Sequence, residues 1–319
     1  MKLSILFLFF STISYAQYKT SPLLKAESLI IEGDMCEAAK LYYNESKSIS
    51  LWDFDLINGL LTSLECNDSL KIRYFIDKLF EIGAPIEYFE NDLSQYHFFK
   101  TDEWKNIKEN KPYFNRDNDV IKAISEMIRI DQSARNSDKG YERADFEVKM
   151  KLDSLVRKNG FPTQKDLGFD YPPKALMNGR DFNVILIHQI KSRPYGWGEI
   201  LPKLYKDKKI SRRQFVFLSA FIKTCDKIQL TCFPFPAENV VLIDNQIYTC
   251  CCKNAEKINN TRRKFGLESL EMHFKKSLFK MNSNIPFRIG KEFPTFSPGD
   301  NKTLIKKLKT IGIIPYNPK

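Results

Sequence analysis

The chain has 319 residues, of which 43% are hydrophobic and 28% charged. This apolar content can bury enough surface to offset the entropy of ordering the chain, so disorder is not the expected state. The formal net charge of +11 is uneven, because residues 1–118 hold 13 basic and 18 acidic residues, whereas residues 119–319 hold 37 basic and 21 acidic residues.

The first residues predict an export signal. Lys2 precedes an apolar run over residues 3–10, and Ser14-Tyr15-Ala16 gives a small-x-small cleavage site. The apolar run is shorter than the roughly 20 residues that a membrane-spanning helix needs, and no later stretch is apolar enough to span a bilayer. We therefore expect residues 1–16 to be removed as a signal peptide, with cleavage before Gln17. The mature protein is then exported to the periplasm or the extracellular space.

Residues 17–110 predict a region of tetratricopeptide-like helical hairpins. One helix ends before Gly33-Asp34, and the next carries small residues at Ala38 and Ala39 that allow close helix packing. A second pair is expected over residues 56–65 and 70–82. Two hairpins are fewer than the three that usually form a stable solenoid, so they are expected to pack on another part of the chain.

A polar stretch over residues 108–118 marks the boundary to a second unit over residues 119–280. Helices are expected there from Val120 onward and over residues 142–158, 181–192, 211–228 and 256–265, with a β-hairpin around Asp244-Asn245. Residues 281–319 are expected to form an irregular extension with a short helix near 301–310. The predicted fold class is therefore mainly α, with tetratricopeptide-like hairpins followed by a helical domain that contains a small β-hairpin.

Polar residues interrupt the apolar faces of three predicted helices. At 100° per residue, Asp131 and Arg135 continue the apolar stripe that begins at Val120. His188 lies in a helix that is apolar almost all round, and Asp226 shares the apolar face of the helix expected from residue 211. Since buried charges require partners, we expect the four polar side chains to converge.

Such a cluster has two interpretations. In a hydrolase-like enzyme, His188 is the general acid or base, and Asp131 or Asp226 orients its ring. In a structural network, the same groups fix the register of the helices and carry no chemistry. The sequence has no metal-ligand spacing and no glycine-rich phosphate loop, so it predicts no metal and no cofactor.

Seven cysteines, an odd number, predict disulfides and at least one remaining thiol in an exported protein. The candidates for disulfide formation are Cys225 and Cys232 on one side and Cys250, Cys251 and Cys252 on the other. Cys36 and Cys66 lie in helical surroundings and are expected to be small buried hydrophobic residues.

Several short motifs over residues 120–275 resemble an exported bacterial family catalogued as domain of unknown function 6624. They are Asp131-Gln132-x-x-Arg135, Gly160-Phe161-Pro162, His188-Gln189, Leu201-Pro202-Lys203-Leu204 and Arg262-x-x-x-Gly266-Leu267. The resemblance implies a helical domain and adds Gln132, Gln189 and Arg262 as candidate binding residues. The chain departs from the family at Asp226-Lys227, where Asp-Arg is usual, and lacks its Tyr-Gly-Thr-Gln strand. The resemblance implies no reaction, because no activity is assigned to the family.

We therefore predict an exported helical protein that acts as a binding or interaction module. Its ligand is unknown, and a protein or peptide bound by the helical hairpins is one candidate partner. A hydrolase-like enzyme is the first alternative. The second alternative is a binder of an anionic polymer through the basic C-terminal part. Nucleic acid is not the expected polymer, because the lysines are spread along helices rather than clustered with aromatic residues.

Overall fold

A computed structural model describes most of the chain and is mainly α-helical, which confirms the predicted class at that level. The described residues are 21–111, 118–136, 140–169, 179–192, 196–219, 221–222, 240–243, 246–250, 255–289, 295–296 and 313–315. The expected signal peptide, residues 1–16, lies outside them. No helix in the described ranges is long and apolar enough to cross a membrane.

The first part of the chain forms the two predicted pairs of helices and one further helix. These are α1 (Pro22–Glu32), α2 (Met35–Ser48), α3 (Asp53–Glu65), α4 (Ser69–Glu81) and α5 (Asp102–Glu109). Between α1 and α2, Gly33 adopts a φ of +86°, a left-handed conformation that glycine adopts without strain. The Asp34 side chain then accepts a hydrogen bond from the Glu37 amide and caps α2.

A core of aromatic and aliphatic side chains fills the space among these helices. Gly59 on α3 allows the closest approach, since a Cβ there would lie 2.4 Å from Cζ of Phe75 on α4. Two residues from the far end of the chain, Phe287 and Ile289, are buried in the same core. The beginning of the expected C-terminal extension therefore packs on the N-terminal helices.

The second part contains eight α-helices in the described ranges. They are α6 (Asn118–Asn136), α7 (Tyr141–Asn159), α8 (Gln164–Leu167), α9 (Gly179–Ser192), α10 (Trp197–Lys206), α11 (Arg212–Ser219), α12 (Ala255–Lys264) and α13 (Leu270–Asn282). Helices α6 to α11 surround a separate core. The apolar faces of α6, α7 and α9 meet around Met127, Val148 and Ile185. The stripe on α6 points inward as its spacing predicts, and Val120 and Ile124 are buried with Met127.

Helix α11 is shorter than predicted. It starts as expected, because the Ser211 hydroxyl accepts a hydrogen bond from the Gln214 amide at 3.1 Å. It ends at Ser219, and the amides of Phe221 and Ile222 make three-residue turns instead of continuing the helix toward residue 228. The helical angle that placed Asp226 on an apolar face assumed a continuous helix from residue 211. Asp226 itself lies outside the described residues.

The sequence prediction missed α13. Its N-terminus carries a recognisable signal, since the Ser269 hydroxyl accepts a hydrogen bond from the Met272 amide. This helix packs against α1 and so connects the N-terminal helices to a segment late in the chain. The contact supplies the N-terminal hairpins with the additional packing surface that their small number requires.

The described residues include four short strands, in the order β3-β1-β2-β4. They are β1 (Val240–Ile243), β2 (Gln246–Cys250), β3 (Thr295–Phe296) and β4 (Ile313–Pro315). β1 pairs antiparallel with β2 and parallel with β3, and β4 pairs antiparallel with β2. Asp244-Asn245 and the helix expected near 301–310 lie outside the described residues.

The structure contains a disulfide between Cys36 and Cys66, with a Cα–Cα distance of 5.4 Å. Cys36 is exposed and Cys66 half-buried, so the expectation of two small buried hydrophobic residues was wrong. The first lies near the start of α2 and the second directly after α3, which places both at one end of two neighbouring helices. Cys250 lies in β2, whereas Cys225, Cys232, Cys251 and Cys252 lie outside the described residues.

Candidate functional site

The predicted polar cluster forms between α6 and α9. Nδ1 of His188 lies 2.8 Å from Oδ1 and 2.9 Å from Oδ2 of Asp131. The Asp131 side chain is 1% exposed and the His188 side chain 18% exposed. The carboxylate therefore lies beneath an imidazole that solvent can still reach.

The contacts around Nδ1 indicate which ring nitrogen carries the proton. An unprotonated Nδ1 would face two carboxylate oxygens, so a proton there replaces two repulsive contacts with hydrogen bonds. Nε of Arg135 also lies 2.9 Å from Nδ1, but it has Oδ1 of Asp131 as an alternative acceptor at 3.1 Å. We assign the proton to Nδ1, which leaves the lone pair of neutral His188 on Nε2.

Arg135 connects this pair to a second carboxylate on α7. Its Nη2 lies 3.0 Å from Oδ1 of Asp131 and 2.9 Å from Oδ1 of Asp145. The Arg135 side chain remains 30% exposed, so its charge is not sealed in the core. Sequence reasoning missed Asp145, although helical spacing could have found it, because it continues the buried face of Val148 and Leu152 on α7.

The two carboxyl groups differ in pKa. Burial acts to raise the pKa of Asp131, but the hydrogen bonds from His188 and Arg135 outweigh it and lower the pKa below the usual range. For Asp145, burial dominates over the nearby Arg135 charge, and the pKa is raised. Asp131 is thus ionised at neutral pH, which suits it to orient His188.

Of the three candidate binding residues, two contact this cluster and one does not. Gln132 donates from Nε2 to Oδ2 of Asp131 at 2.8 Å, and Gln189 donates to the backbone oxygen of Asp145 at 3.0 Å. Both support the cluster. Arg262 belongs to a different group of charges, where its Nη2 lies 3.4 Å from Oε1 of Glu268. The structure therefore brings Asp131, Arg135 and His188 together but places Arg262 elsewhere.

A second set of buried charges, which we call the ionic junction, joins α1, α11 and α13. Glu27 on α1 pairs with both Arg212 on α11 and Lys276 on α13. Nζ of Lys276 also lies 4.0 Å from Oε2 of Glu268, just before α13. The side chains of Glu27 and Lys276 are almost fully buried, so each charge depends on the others for stabilisation.

The charges of the ionic junction hold its carboxyl groups ionised. Burial acts to raise the pKa of Glu27, but Arg212 and Lys276 outweigh it and lower the pKa. For Glu268, the positive charge of Lys276 and the hydrogen bond from His273 likewise overcome burial, and the pKa is well below its usual value. The sequence does not reveal this junction, because Glu27, Arg212 and Lys276 lie far apart in the chain.

A cavity of about 330 Å³, which we call the junction cavity, lies beside these charges. One side is formed by the segment from α2 into α3, including Trp52, Phe54 and Asp55. The other side includes Tyr205 from α10 and Arg213 from α11. Since α3 belongs to the first core and α11 to the second, the cavity lies at the seam between the two.

Arg213 and Asp55 give this cavity an unusual charge environment. Arg213 makes no ion pair with the described residues, and its Nη2 is enclosed without a hydrogen-bond partner. Its Cζ lies 4.3 Å from the ring centroid of Phe54, a cation–π contact. Burial raises the pKa of Asp55 to about 6, with partial compensation by Arg212. Asp55 therefore changes charge near neutral pH.

Comparison with known proteins found no matching family model, no matching curated protein and no matching solved structure. The geometry alone therefore guides the functional assignment. Within the described ranges, no three His, Cys, Asp or Glu side chains are grouped so that they could hold a metal ion. The features that could act on another molecule are the Asp131–His188 pair with Arg135 and the junction cavity with Arg213.

Proposed function

We propose that this protein is an exported binding protein that holds a small ligand in the junction cavity. The observation that carries the proposal is the cavity itself, about 330 Å³ in volume and lined by both aromatic and charged side chains. Ligand sites typically have volumes of about 300–1,000 Å³ and occur between structural units. The seam between α3 and α11 meets both criteria.

The ionic junction supports this proposal because it fixes the walls of the cavity. Arg212 lines the cavity and is anchored to Glu27, which is held in turn by Lys276. Buried charges tied to several helices resist relative movement, since separating any pair leaves an uncompensated charge. A cavity with fixed walls binds at a smaller entropic cost than one that must form around its ligand.

The wider architecture forms part of the proposal. The pairing of α1 with α2 and of α3 with α4 supports a tetratricopeptide-like arrangement, and the pairing of β1 with β2 supports a small hairpin. Export after cleavage at Ala16 and membership of the resembled bacterial family remain predictions from the sequence. Intact-mass measurement of secreted protein tests the first, since retention of Met1 would contradict it.

Filling the cavity tests the binding function. Ser50 is exposed and lines the cavity, so Ser50→Trp should block it without disturbing the core. Ser48, exposed at the end of α2, does not line the cavity and provides the matched control Ser48→Trp. In a ligand-observed NMR screen of neutral, cationic and anionic fragments, hits should bind the wild type and Ser48→Trp but not Ser50→Trp. Hits that bind all three proteins equally would overturn the proposal.

A second candidate function rests on the Asp131–His188 pair. A carboxylate 2.8 Å from Nδ1 of a partly exposed His orients the ring and leaves Nε2 able to act as a general base. Hydrolysis of p-nitrophenyl acetate can be compared in the wild type, His188→Gln and His97→Gln, because His97 is exposed and remote from the pair in sequence. Loss of rate in His188→Gln alone would support the enzyme. Equal rates in all three would reject it.

A further inference from the structure

We infer that the ligand of the junction cavity is a small organic acid, with an oxyanion that pairs with Arg213 and a flat apolar body that packs on Trp52 and Phe54. The oxyanion can be a carboxylate or a phosphate, since a guanidinium binds both through parallel hydrogen bonds. This inference rests on the proposed binding function and specifies the chemical class of its ligand.

Two neighbouring arginines provide the first argument. Arg212 is paired with Glu27 in the ionic junction, whereas Arg213 makes no ion pair with the described residues. Both line the cavity. A buried guanidinium nitrogen without a hydrogen-bond acceptor is costly to the protein, and an oxyanion in the cavity would supply the acceptor that Nη2 of Arg213 lacks. Because Arg212 is paired and Arg213 is not, we assign Arg213 as the residue that binds the ligand.

The charges at the cavity also favour an anion. Lys206 and Lys208 line it and are exposed, so they extend the positive potential to solvent. Glu45 and Asp55 are the acidic residues of the lining. Three basic residues of the lining still outnumber them when Arg212, which is paired with Glu27, is left out of the comparison. A recess with excess positive charge concentrates anions and increases their rate of association.

The apolar walls select the body of the ligand. Trp52, Phe54 and Tyr205 are half-buried and line the cavity from opposite sides. Aromatic side chains contribute large contact areas and pack best on flat groups. The Phe54 ring also covers the Arg213 guanidinium, so an acid bound to Arg213 has an aromatic surface beside its charged end.

Asp55 links ligand binding to pH. Its carboxylate and the ligand oxyanion are like charges beside the same guanidinium, so binding is weaker while Asp55 is ionised. The charged and titratable groups that face Asp55 are Arg212 and Arg213 on α11, Glu27 on α1, Lys276 on α13, Tyr42 on α2 and Tyr205 on α10. Since the pKa of Asp55 is about 6, affinity should increase as the pH falls through that value.

Isothermal titration calorimetry on the full mature chain tests the inference with three probes. Benzoate and phenyl phosphate carry the two kinds of oxyanion, and benzamide is the neutral analogue of benzoate. We expect at least one anion to bind about 10-fold or more tightly than benzamide, and Arg213→Gln to lose about 10-fold in that affinity. Lys203→Gln on α10 removes the same charge from an exposed position outside the cavity lining and should change affinity less than about twofold.

The outcomes separate this inference from the binding function. If benzamide binds as tightly as both anions and Ser50→Trp abolishes binding, the cavity is a ligand site, but the inference that its ligand is an organic acid is refuted. If no probe binds and no fragment from the screen is blocked by Ser50→Trp, the binding function itself fails. If Arg213→Gln does not fold, Arg213→Lys is the second variant, because it keeps the charge but loses the parallel hydrogen bonds. Unchanged benzoate affinity in Arg213→Lys would contradict the role of Arg213.

The pH arm uses benzoate, which stays ionised over the range tested. Wild-type affinity should increase several-fold between about pH 7.5 and about pH 5, and Asp55→Asn should bind tightly at both values. A wild-type affinity that is independent of pH, or an Asp55→Asn variant that keeps the full wild-type dependence, would show that Asp55 does not control the site.

Discussion

Removing the Asp131 carboxylate should destabilise the protein strongly. Its side chain is 1% exposed and contacts His188, Arg135 and Gln132 through three sets of hydrogen bonds. Loss of one partner of a buried ion pair costs roughly 3–5 kcal/mol, because the remaining charge is left in the interior. Arg135 retains Asp145 and is partly exposed, so we expect Asp131→Ala to cost about 3 kcal/mol, at the lower end of that range.

Urea unfolding and thermal melts at neutral pH measure this cost. A chain of this size should lose roughly 5 °C in Tm for that change in stability. Asp153→Ala is the matched control, since Asp153 on α7 pairs with Lys149 at the surface, where an ion pair contributes less than about 1 kcal/mol. If the two variants lose equal stability, the buried Asp131 carboxylate contributes no more to folding stability than a surface ion pair does.

Three further predictions concern other parts of the structure. Cys36→Ser/Cys66→Ser should lose about 3–4 kcal/mol in chemical unfolding, because the disulfide closes a loop of 30 residues, and a smaller loss than about 1 kcal/mol would contradict this. Glu27→Ala should cost about 4 kcal/mol in urea unfolding, since it leaves Lys276 buried, and a cost as small as that of a surface pair would show that the ionic junction is not structural. Because the pKa of Asp55 is raised in the folded state, its protonation stabilises the protein at low pH and this stability is lost as the pH rises through about 6. Asp55→Asn should therefore be more stable than the wild type by up to about 2 kcal/mol near pH 7.5 and equal to it near pH 4, and equal stability at both values would refute the shift.

Local patterns in the sequence predicted most of the helices but not all of their ends. The apolar stripe of α6 and the glycines after α1 and α12 act within a few residues of the elements that they define. The end of α11 at Ser219 follows no comparable local signal, and the predicted helix end at residue 228 was therefore wrong. Periodicity is informative only where the helix continues.

The Asp131 cluster was predictable because each member breaks an apolar face on its own helix. The same rule would have found Asp145, and applied to α1 it would have flagged Glu27 beside Leu24 and Ile30. The partners of Glu27 could not be predicted, since Lys276 is 249 residues away and lies on a helix that the sequence reading missed. Ion pairs across such distances depend on the packing of the whole chain.

The junction cavity was not predictable for the same reason. Trp52 and Phe54 read as ordinary apolar residues, and Arg213 reads as part of a basic helix start. These side chains form a cavity only when α3 and α11 come together in the fold. Arg212 is then paired with Glu27, whereas Arg213 makes no ion pair with the described residues. A cavity between two cores produces no sequence pattern in either of the segments that line it.

Location of a bound acid in a crystal tests the central claim most directly. A crystal soaked in 4-bromobenzoate would show the bromine by its anomalous scattering, independently of any model of the ligand. We predict a bromine peak inside the junction cavity, with the carboxylate within hydrogen-bond distance of Arg213 and the ring against Trp52 or Phe54. A peak at Arg135 and His188 with none in the cavity would contradict the account.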